Sequence, residues 1–563
     1  MVAHKFWQFL KNNCLKPRSR FGETTFDNCV TFMIDGEENF RLKYQKINEA
    51  RNSIYIANYD LDPNLQLIRG DAKPRSVQIH GLIASSCGSE SNAKNFTSDV
   101  NDSSLLDDDG AYTLQNLLIK KAKQNVDIKI LIWEPRPIVR KLPNSRKRGL
   151  EERRLKLEGI REAAKRFGVE DYITIRLDSK APTFTSGFHE KIMIIDNQIG
   201  FCGGQDLSLG KWDTSAHDFD NALRDHGGEP WHDIHAMVKG PIVWDLIYHF
   251  NQRWVYSIWK DIRQVKKIVK PSSIGHYLMS TSPPPILSFT GDGDTEITAL
   301  RTCKQLSESK NNDDHDLDYD SSIQGSDSVC SWYDTMFSKA KDSIYIEDQF
   351  LFQDKAITQI LVNRLKDERN LKIITVGPME PNLPGFVFGI ISKESINHIN
   401  SNLAALRKAG KNRVRTYSLI SQHNTFKNRR KQIYIHSKLV IVDDKWITIG
   451  SANTDRDGLE YSTEFDLGIV SSDLSPRLRV KLWREHLKTN DMDYYSSSNS
   501  SEPHDLYNFE EGFKAWEELA EENGKSVRRH ESIQGHVYYY NFEEINYPPP
   551  YPQARGGNKF RFF

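Results

Sequence analysis

The chain carries the same pattern twice, and that limits what it can fold into. His189-Glu-Lys191-Ile-Met-Ile-Ile-Asp196 in the first half is matched by His436-Ser-Lys438-Leu-Val-Ile-Val-Asp443 in the second. Both read H-x-K-x-x-x-x-D, and a glycine follows each Asp seven residues on, in Gly203-Gly204 and Gly450-Ser451. Upstream, Glu49-Ala-Arg-Asn52 leading into Ser53-Ile-Tyr-Ile56 recurs as Ser338-Lys-Ala-Lys-Asp342 leading into Ser343-Ile-Tyr-Ile346. The chain has 17 histidines, so one such motif is expected by chance about 0.08 times. Two copies in matching surroundings point to a diverged duplication.

Each copy continues with a helical stretch and an apolar strand: Tyr112–Gln124 and Val126–Trp133, then Ala356–Lys366 and Leu371–Val376. Short β-branched runs alternating with helices are the signature of buried strands in an α/β unit. The predicted fold is α/β: two pseudo-twofold-related lobes, each a mixed central sheet flanked by helices, with the active site at the lobe interface. The expected boundaries are an N-terminal extension over 1–29, a first lobe over 30–270 with its motif region at 183–210, and a linker over 271–330. A second lobe follows over 331–495 with its motif region at 430–457, and then a C-terminal segment over 496–563 ending in the Pro-rich, aromatic run Asn546–Pro552. Ser85–Gly110 and Ser307–Ser328 read as polar loops. The acidic tract Asn311–Asp320 does not fit calcium-loop spacing, so no calcium site is expected there.

Composition removes some functions. The 76 basic and 76 acidic residues cancel, which argues against a chain-wide grip on nucleic acid. Six cysteines, at 14, 29, 87, 202, 303 and 330, show no C-x-x-C spacing. Neither a zinc site nor a disulfide framework is expected, which favours a reducing, cytoplasmic setting. No run reaches the ~18 apolar residues that span a bilayer. A protein of this kind that acts on lipid meets the membrane peripherally.

Phe188–Ile195 and Tyr434–Val442 read as central strands. Residues i and i+2 of a strand share a face, so His189 points with Lys191, and His436 with Lys438. Asp196 and Asp443 fall on the other parity at the strand ends and are expected to act structurally. Two His and two Lys suffice to open a phosphodiester without a metal or other cofactor. The lysines neutralise the non-bridging oxygens, one imidazole attacks phosphorus, and the other moves protons. An attacking imidazole needs its second nitrogen held by an acceptor. Asp233 in Trp231-His-Asp233 and Glu464 in Tyr461-Ser-Thr-Glu464 are the candidates, with their pairing left open. Asp206, Ser451 and Asn453, on the turns that follow the motifs, are expected to hydrogen-bond at the site.

At these residues the chain resembles the phospholipase D superfamily, and within it the eukaryotic phospholipase D catalytic core. The stretches that carry this are His189–Asp213, Trp231-His-Asp233 with His249–Trp254, Ile344–Phe350, Tyr434–Leu439 and Gly450-Ser-Ala-Asn453, within about residues 30–490. The resemblance implies a catalytic set of His189, Lys191, Asp196, His436, Lys438 and Asp443, with His189 as nucleophile and His436 as acid and base. It implies hydrolysis of glycerophospholipids such as phosphatidylcholine to phosphatidic acid and the head-group alcohol, with transfer to other alcohols. The short stretch before the core leaves no room for the C2, PX or PH modules of the larger enzymes, and calcium dependence is not expected. The alternatives are a phosphodiesterase or nuclease of the same superfamily, a non-catalytic scaffold, and, more distantly, a cardiolipin-synthase-type transferase. Arg146, Lys147 and Arg148, or Arg429, Arg430 and Lys431, are candidates for gripping anionic lipid, at ~1 kcal/mol per basic residue. Phe184, Trp212 and Phe560–Phe563 are candidates for inserting at a membrane interface.

Overall fold

A computed structural model describes residues 22–70, 83–84, 112–134, 144–178, 187–225, 228–266, 293–303, 326–379, 388–489, 493–496 and 503–540. The first half builds a sheet from β1 (Thr24–Ile34), β2 (Ser53–Asn58), β3 (Asp127–Trp133), β4 (Ile173–Asp178), β5 (Ile192–Ile195), β6 (Ile199–Gly203) and β7 (Ile234–Lys239). Their order is β4-β3-β2-β5-β6-β7-β1, with β4, β3 and β2 parallel and the rest antiparallel. The second half uses β8 (Thr295–Cys303), β9 (Ser343–Asp348), β10 (Lys372–Val376), β11 (Val414–Gln422), β12 (Arg430–Ile435), β13 (Lys438–Val442), β14 (Trp446–Gly450), β15 (Glu464–Val470) and β16 (Val537–Tyr539). Its order β11-β10-β9-β13-β14-β15-β8 has the same directions position by position. The register matches too: Ile54 faces Ile195, just before Asp196, and Ile344 faces Val442, just before Asp443.

The parallel strands are joined by equivalent helices. α2 (Leu114–Ala122) starts on Thr113, whose hydroxyl accepts from the Asn116 amide, and α4 (Lys355–Asp367) on Asp354, whose carboxylate accepts from Ile357. Such caps each contribute ~1 kcal/mol. The other helices used below are α1 (Asp35–Glu49), α3 (Val243–Lys266), α5 (Leu474–Leu487) and α6 (Phe509–Arg529).

The halves share one core. Phe32, Tyr55, Ile192 and Phe250 of the first half pack in one apolar cluster with Tyr345, Leu439, Phe465 and Leu467 of the second. A buried side chain of this size stabilises by roughly 1.5–3 kcal/mol, so parting the halves would expose much of what holds each together. β1 spans the seam: Thr24, Thr25 and Asn28 pair with β8, and Cys29–Ile34 with β7.

Some expectations need correcting. The predicted linker contains β8, an internal strand of the second sheet bonded along its length to β15; its apolar residues belong to the core, where Ile297 and Ala299 are buried. The predicted C-terminal segment supplies α6, which buries Trp516, and β16, which pairs with β11. The predicted strand Phe188–Ile195 begins only at Ile192, and Tyr434–Val442 is interrupted at His436 and Ser437. Cys29 is disulfide-bonded, a pairing that the spacing of the cysteines along the chain did not signal. Trp212 is 3% exposed and packs under the Arg69 guanidinium, so it does not offer itself to a membrane. Ser85–Gly110, the acidic tract Asn311–Asp320, Phe184, Asn546–Pro552 and Phe560–Phe563 lie outside the described residues, as do the side chains of Arg146, Lys147 and Arg148. Among the described residues no helix is long and apolar enough to cross a membrane.

Candidate active site

The breaks in the two motif strands have one cause. Each catalytic-motif histidine leaves its own sheet and bonds to the other half. The His189 amide donates to Thr463 O (2.8 Å) and the His436 amide to His232 O (2.8 Å). The residues that follow those carbonyls are Glu464 and Asp233, and their carboxylates turn back onto the same histidines. His189 Nδ1 meets Glu464 Oε1 and Oε2, both at 3.1 Å, and Ser451 O at 3.1 Å. His436 Nδ1 meets Asp233 Oδ2 at 2.7 Å. Each half therefore orients the imidazole of the other.

A carbonyl oxygen only accepts, so His189 Nδ1 carries its hydrogen and the lone pair of the neutral ring sits on Nε2. The lysines fold back over the breaks: Lys191 Nζ donates to His189 O at 2.9 Å, and Lys438 Nζ to His436 O. Each ammonium is thus brought beside its histidine by a hydrogen bond rather than by strand parity. Burial and the lysines push both imidazoles well below their ordinary range. His189 is lowered by burial, then Lys191 and Lys438; His436 by burial, then Lys438, Lys211 and Lys191. Lysines of both motifs act on both histidines, which places the two motifs at one centre. Burial raises Glu464 well above the usual carboxylate range and Asp233 to about 6.

Scanned against family descriptions, residues 96–356 match "Phospholipase D" and residues 333–485 match "Cardiolipin synthase, PLD-like domain". The chain belongs to the phospholipase D superfamily. It is 26% identical over 560 residues to phospholipase D alpha 2 of Arabidopsis thaliana, covering 79% of this chain and 63% of that one. It is 26% identical over 528 residues to phospholipase D zeta 2 of the same plant, covering 68% of this chain and 49% of the other. The chain thus spans less than two thirds of the length of these curated relatives. Among solved structures, a phosphatidylserine synthase of Haemophilus influenzae Rd KW20 aligns over 94% of this chain and 100% of its own, at 10% identity and a TM-score of 0.49.

The remaining predicted residues of this superfamily member fall in two groups. Asp196 and Asp443 point away from the histidines. The Asp196 carboxylate accepts the amides of Arg51, Asn52 and Ser53 (2.8, 2.6 and 2.8 Å), and that of Asp443 accepts Lys341, Asp342 and Ser343 (2.9, 2.8 and 2.9 Å). The duplicated Ser-Ile-Tyr-Ile strands are thereby tied to the motif strands. Asp206 lies at the centre, 3.6 Å from Lys191 Nζ, and accepts the Asp60 amide. Ser451 contributes its carbonyl to His189, and its amide is held by Asp466 at 2.8 Å. Asn453 is buried on the same turn, and its Oδ1 has no hydrogen-bond partner among the described residues.

Sequence reasoning missed the aromatic walls. Tyr59 stacks on Trp133 (4.6 Å) and meets His189 edge-on (5.0 Å). Trp231 stacks on Tyr434 (4.8 Å) and lies 4.9 Å from His436, and Lys211 Nζ sits 3.5 Å from the centroid of the Trp231 ring. Gln349 accepts from Lys438 Nζ (3.1 Å) and donates to the Tyr434 hydroxyl (2.8 Å). The signal available was position: Tyr59 directly follows β2, and Gln349 directly follows its duplicate β9.

Also missed was a buried polar cluster behind Asp233. His217 Nε2 lies 3.3 Å from Asp35 Oδ2 and 3.1 Å from Glu485 Oε1, and His232 Nδ1 lies 3.0 Å from both Asp35 Oδ1 and Glu485 Oε1. One ligand atom from each of these four residues fits within 4.8 Å of the others. Two imidazoles and two carboxylates are the residues here that can hold a divalent cation, which would supply positive charge at the seam between the halves. Without one, the cluster balances its charge with protons: nearby carboxylates raise His217 to about 10 against the effect of burial, and raise His232 as well.

Proposed function

We propose that the chain is a phospholipase D that converts glycerophospholipids such as phosphatidylcholine to phosphatidic acid and the free head-group alcohol. One observation carries this: two neutral imidazoles, each oriented by a carboxylate of the opposite half, share one centre with Lys191 and Lys438. The names of the curated relatives support the lipid substrate.

The His189 Nε2 lone pair attacks phosphorus, and the bond from phosphorus to the head-group oxygen breaks. His436 Nε2 gives its proton to that oxygen, leaving a phosphohistidine. Water then gives a proton to His436 and attacks phosphorus, the N–P bond breaks, and phosphatidate departs. A primary alcohol in place of water gives transphosphatidylation. Lys191 and Lys438 hold the charge of the five-coordinate phosphorus. The incoming phosphodiester anion offsets the lysines and raises His436 toward the protonated state that the first step needs. Asp196 and Asp443 act by fixing the motif strands.

The test is to supply phosphatidylcholine vesicles and a primary alcohol. The phosphatidyl-alcohol is expected from the unaltered chain and absent with His189→Ala. Cleavage of single-stranded DNA with no lipid product would replace this reading with that of a nuclease.

A further inference from the structure

β11 outruns its sheet. Its last pair with β10 is Tyr417 opposite Val376, yet the strand continues to Gln422 and returns as β12, with Leu419 opposite Ile433 and Gln422 opposite Arg430. β12 ends at Ile435, next to His436. The six steps from Arg430 to His436 span about 20 Å of extended chain at ~3.3 Å each. The hairpin therefore rises from the catalytic histidine on the side where β9 and β10 end, the side that carries Asp348 and Gln349.

Its turn is built to a fixed shape. The amides of Thr425 and Phe426 both donate to His423 Nδ1 at 3.0 Å, and the Arg429 amide donates to Phe426 O at 2.9 Å. His423 Nε2 faces Asp220 at 3.5 Å. The first half buttresses the hairpin: Lys431 Nζ donates to Phe219 O (2.8 Å), pairs with Asp220 (3.3 Å) and sits over the Phe219 ring at 4.3 Å. With the turn so fixed, Phe426 stands 55% exposed. The Arg429 guanidinium lies 6.0 Å from its ring and 5.3 Å from that of Phe219. Lys427, Arg429, Arg430 and Lys431 make the segment strongly basic.

An exposed aromatic flanked by Lys427 and Arg429 at the outer end of an active-site hairpin has the chemistry of an interfacial anchor. We propose that the turn His423–Arg429, held by Phe219 and Asp220, docks the protein on an anionic phospholipid surface. Phe426 enters the acyl boundary, and Lys427 and Arg429 meet head-group phosphates. This rests on the lipid-cleaving reading above, and it adds where the membrane lies relative to the pocket.

The experiment uses the full chain carrying His189→Ala, so that vesicles stay intact, and measures co-sedimentation with phosphatidylcholine vesicles with and without phosphatidylserine. Binding is expected to depend on phosphatidylserine and to fall roughly tenfold or more with Phe426→Ser combined with Arg429→Glu, at an unchanged unfolding midpoint. Leu155→Ser, which alters an even more exposed apolar side chain (71%) on another helix, is expected to leave binding intact. Phe426→Trp is expected to show a blue shift in emission when phosphatidylserine vesicles are added. Wild-type partitioning by the folded double variant, an equal loss with Leu155→Ser, or unshifted Phe426→Trp emission would overturn the proposal. So would a double variant that loses affinity for single-stranded DNA and keeps its affinity for vesicles. Docking without any phosphatidylcholine cleavage by the active chain would sink the catalytic reading and leave the docking surface standing.

Discussion

The two histidines sit in matching frames but different surroundings. His189 has an 18% exposed side chain, an edge-on Tyr59, and an Nδ1 shared among three oxygens. His436 has an 8% exposed side chain, a single short bond to Asp233, and Trp231 against its ring. The duplication supplied two copies of one device, and the walls around each copy then diverged. A looser, more open imidazole suits the attack on phosphorus. A clamped one suits repeated proton transfer to and from oxygen.

Removing each imidazole in turn separates the two roles. Either His→Ala change is expected to cost roughly 10⁴-fold or more in turnover of natural lipid. A p-nitrophenyl phosphodiester needs no acid for its leaving group. With it, His436→Ala is expected to release one equivalent of nitrophenol and stop at the covalent stage, while His189→Ala releases none; the opposite pattern would exchange the two roles. Next come the carboxylates that reach across the seam. Glu464→Gln is expected to slow formation of the covalent intermediate, and Asp233→Asn to slow the steps that move protons, each by roughly 10²-fold or more. Single-turnover kinetics separate them, and equal effects on both phases would mean that the exchange only holds the halves together.

Smaller effects distinguish charge from scaffold. Lys438→Met removes a cation that depresses both histidines. The acidic limb of kcat/KM, expected below pH ~6.5 because both imidazoles lie below their ordinary range, should move to higher pH. Without that cation the imidazolium forms more readily, so each histidine titrates higher. A histidine whose folded pKa is depressed contributes stability that is complete above its unfolded pKa, near 6.5, and is lost as the pH falls below it. An unmoved limb would mean that the lysine does not act on the titrating histidine. Least of all, Asp443→Ala is expected to cost about 2 kcal/mol of stability through the loss of three amide bonds, read in denaturant titration, while the folded fraction keeps its turnover. A turnover loss as deep as that of His436→Ala would place Asp443 at the chemistry.

Much of the fold was legible because duplication doubles every signal: the Ser-Ile-Tyr-Ile strands, the capped crossover helices and the order of elements all appear twice. Strand parity grouped each His with its Lys, yet the strand is broken at both places, since the backbone there bonds across the seam. Periodicity within a segment says nothing about hydrogen bonds to a residue more than 200 positions away. For the same reason the partner of each histidine stayed open. Thr463-Glu464 and His232-Asp233 stand in equivalent positions, and only the crossing of the chains selects which carboxylate serves which ring. Asp35, His217, His232 and Glu485 come from separate segments and form no motif together, so no local pattern announced their cluster.

The seam also sets when the chemistry can exist. Glu464, which orients His189, lies 275 residues after it, so a chain emerging from the ribosome carries the proposed nucleophile long before the group that aims it. Until β15 has been made and has docked, the first half holds a histidine and a lysine with no directed lone pair. In the proposed mechanism the attack on phosphorus therefore waits until the second half has been made and has folded.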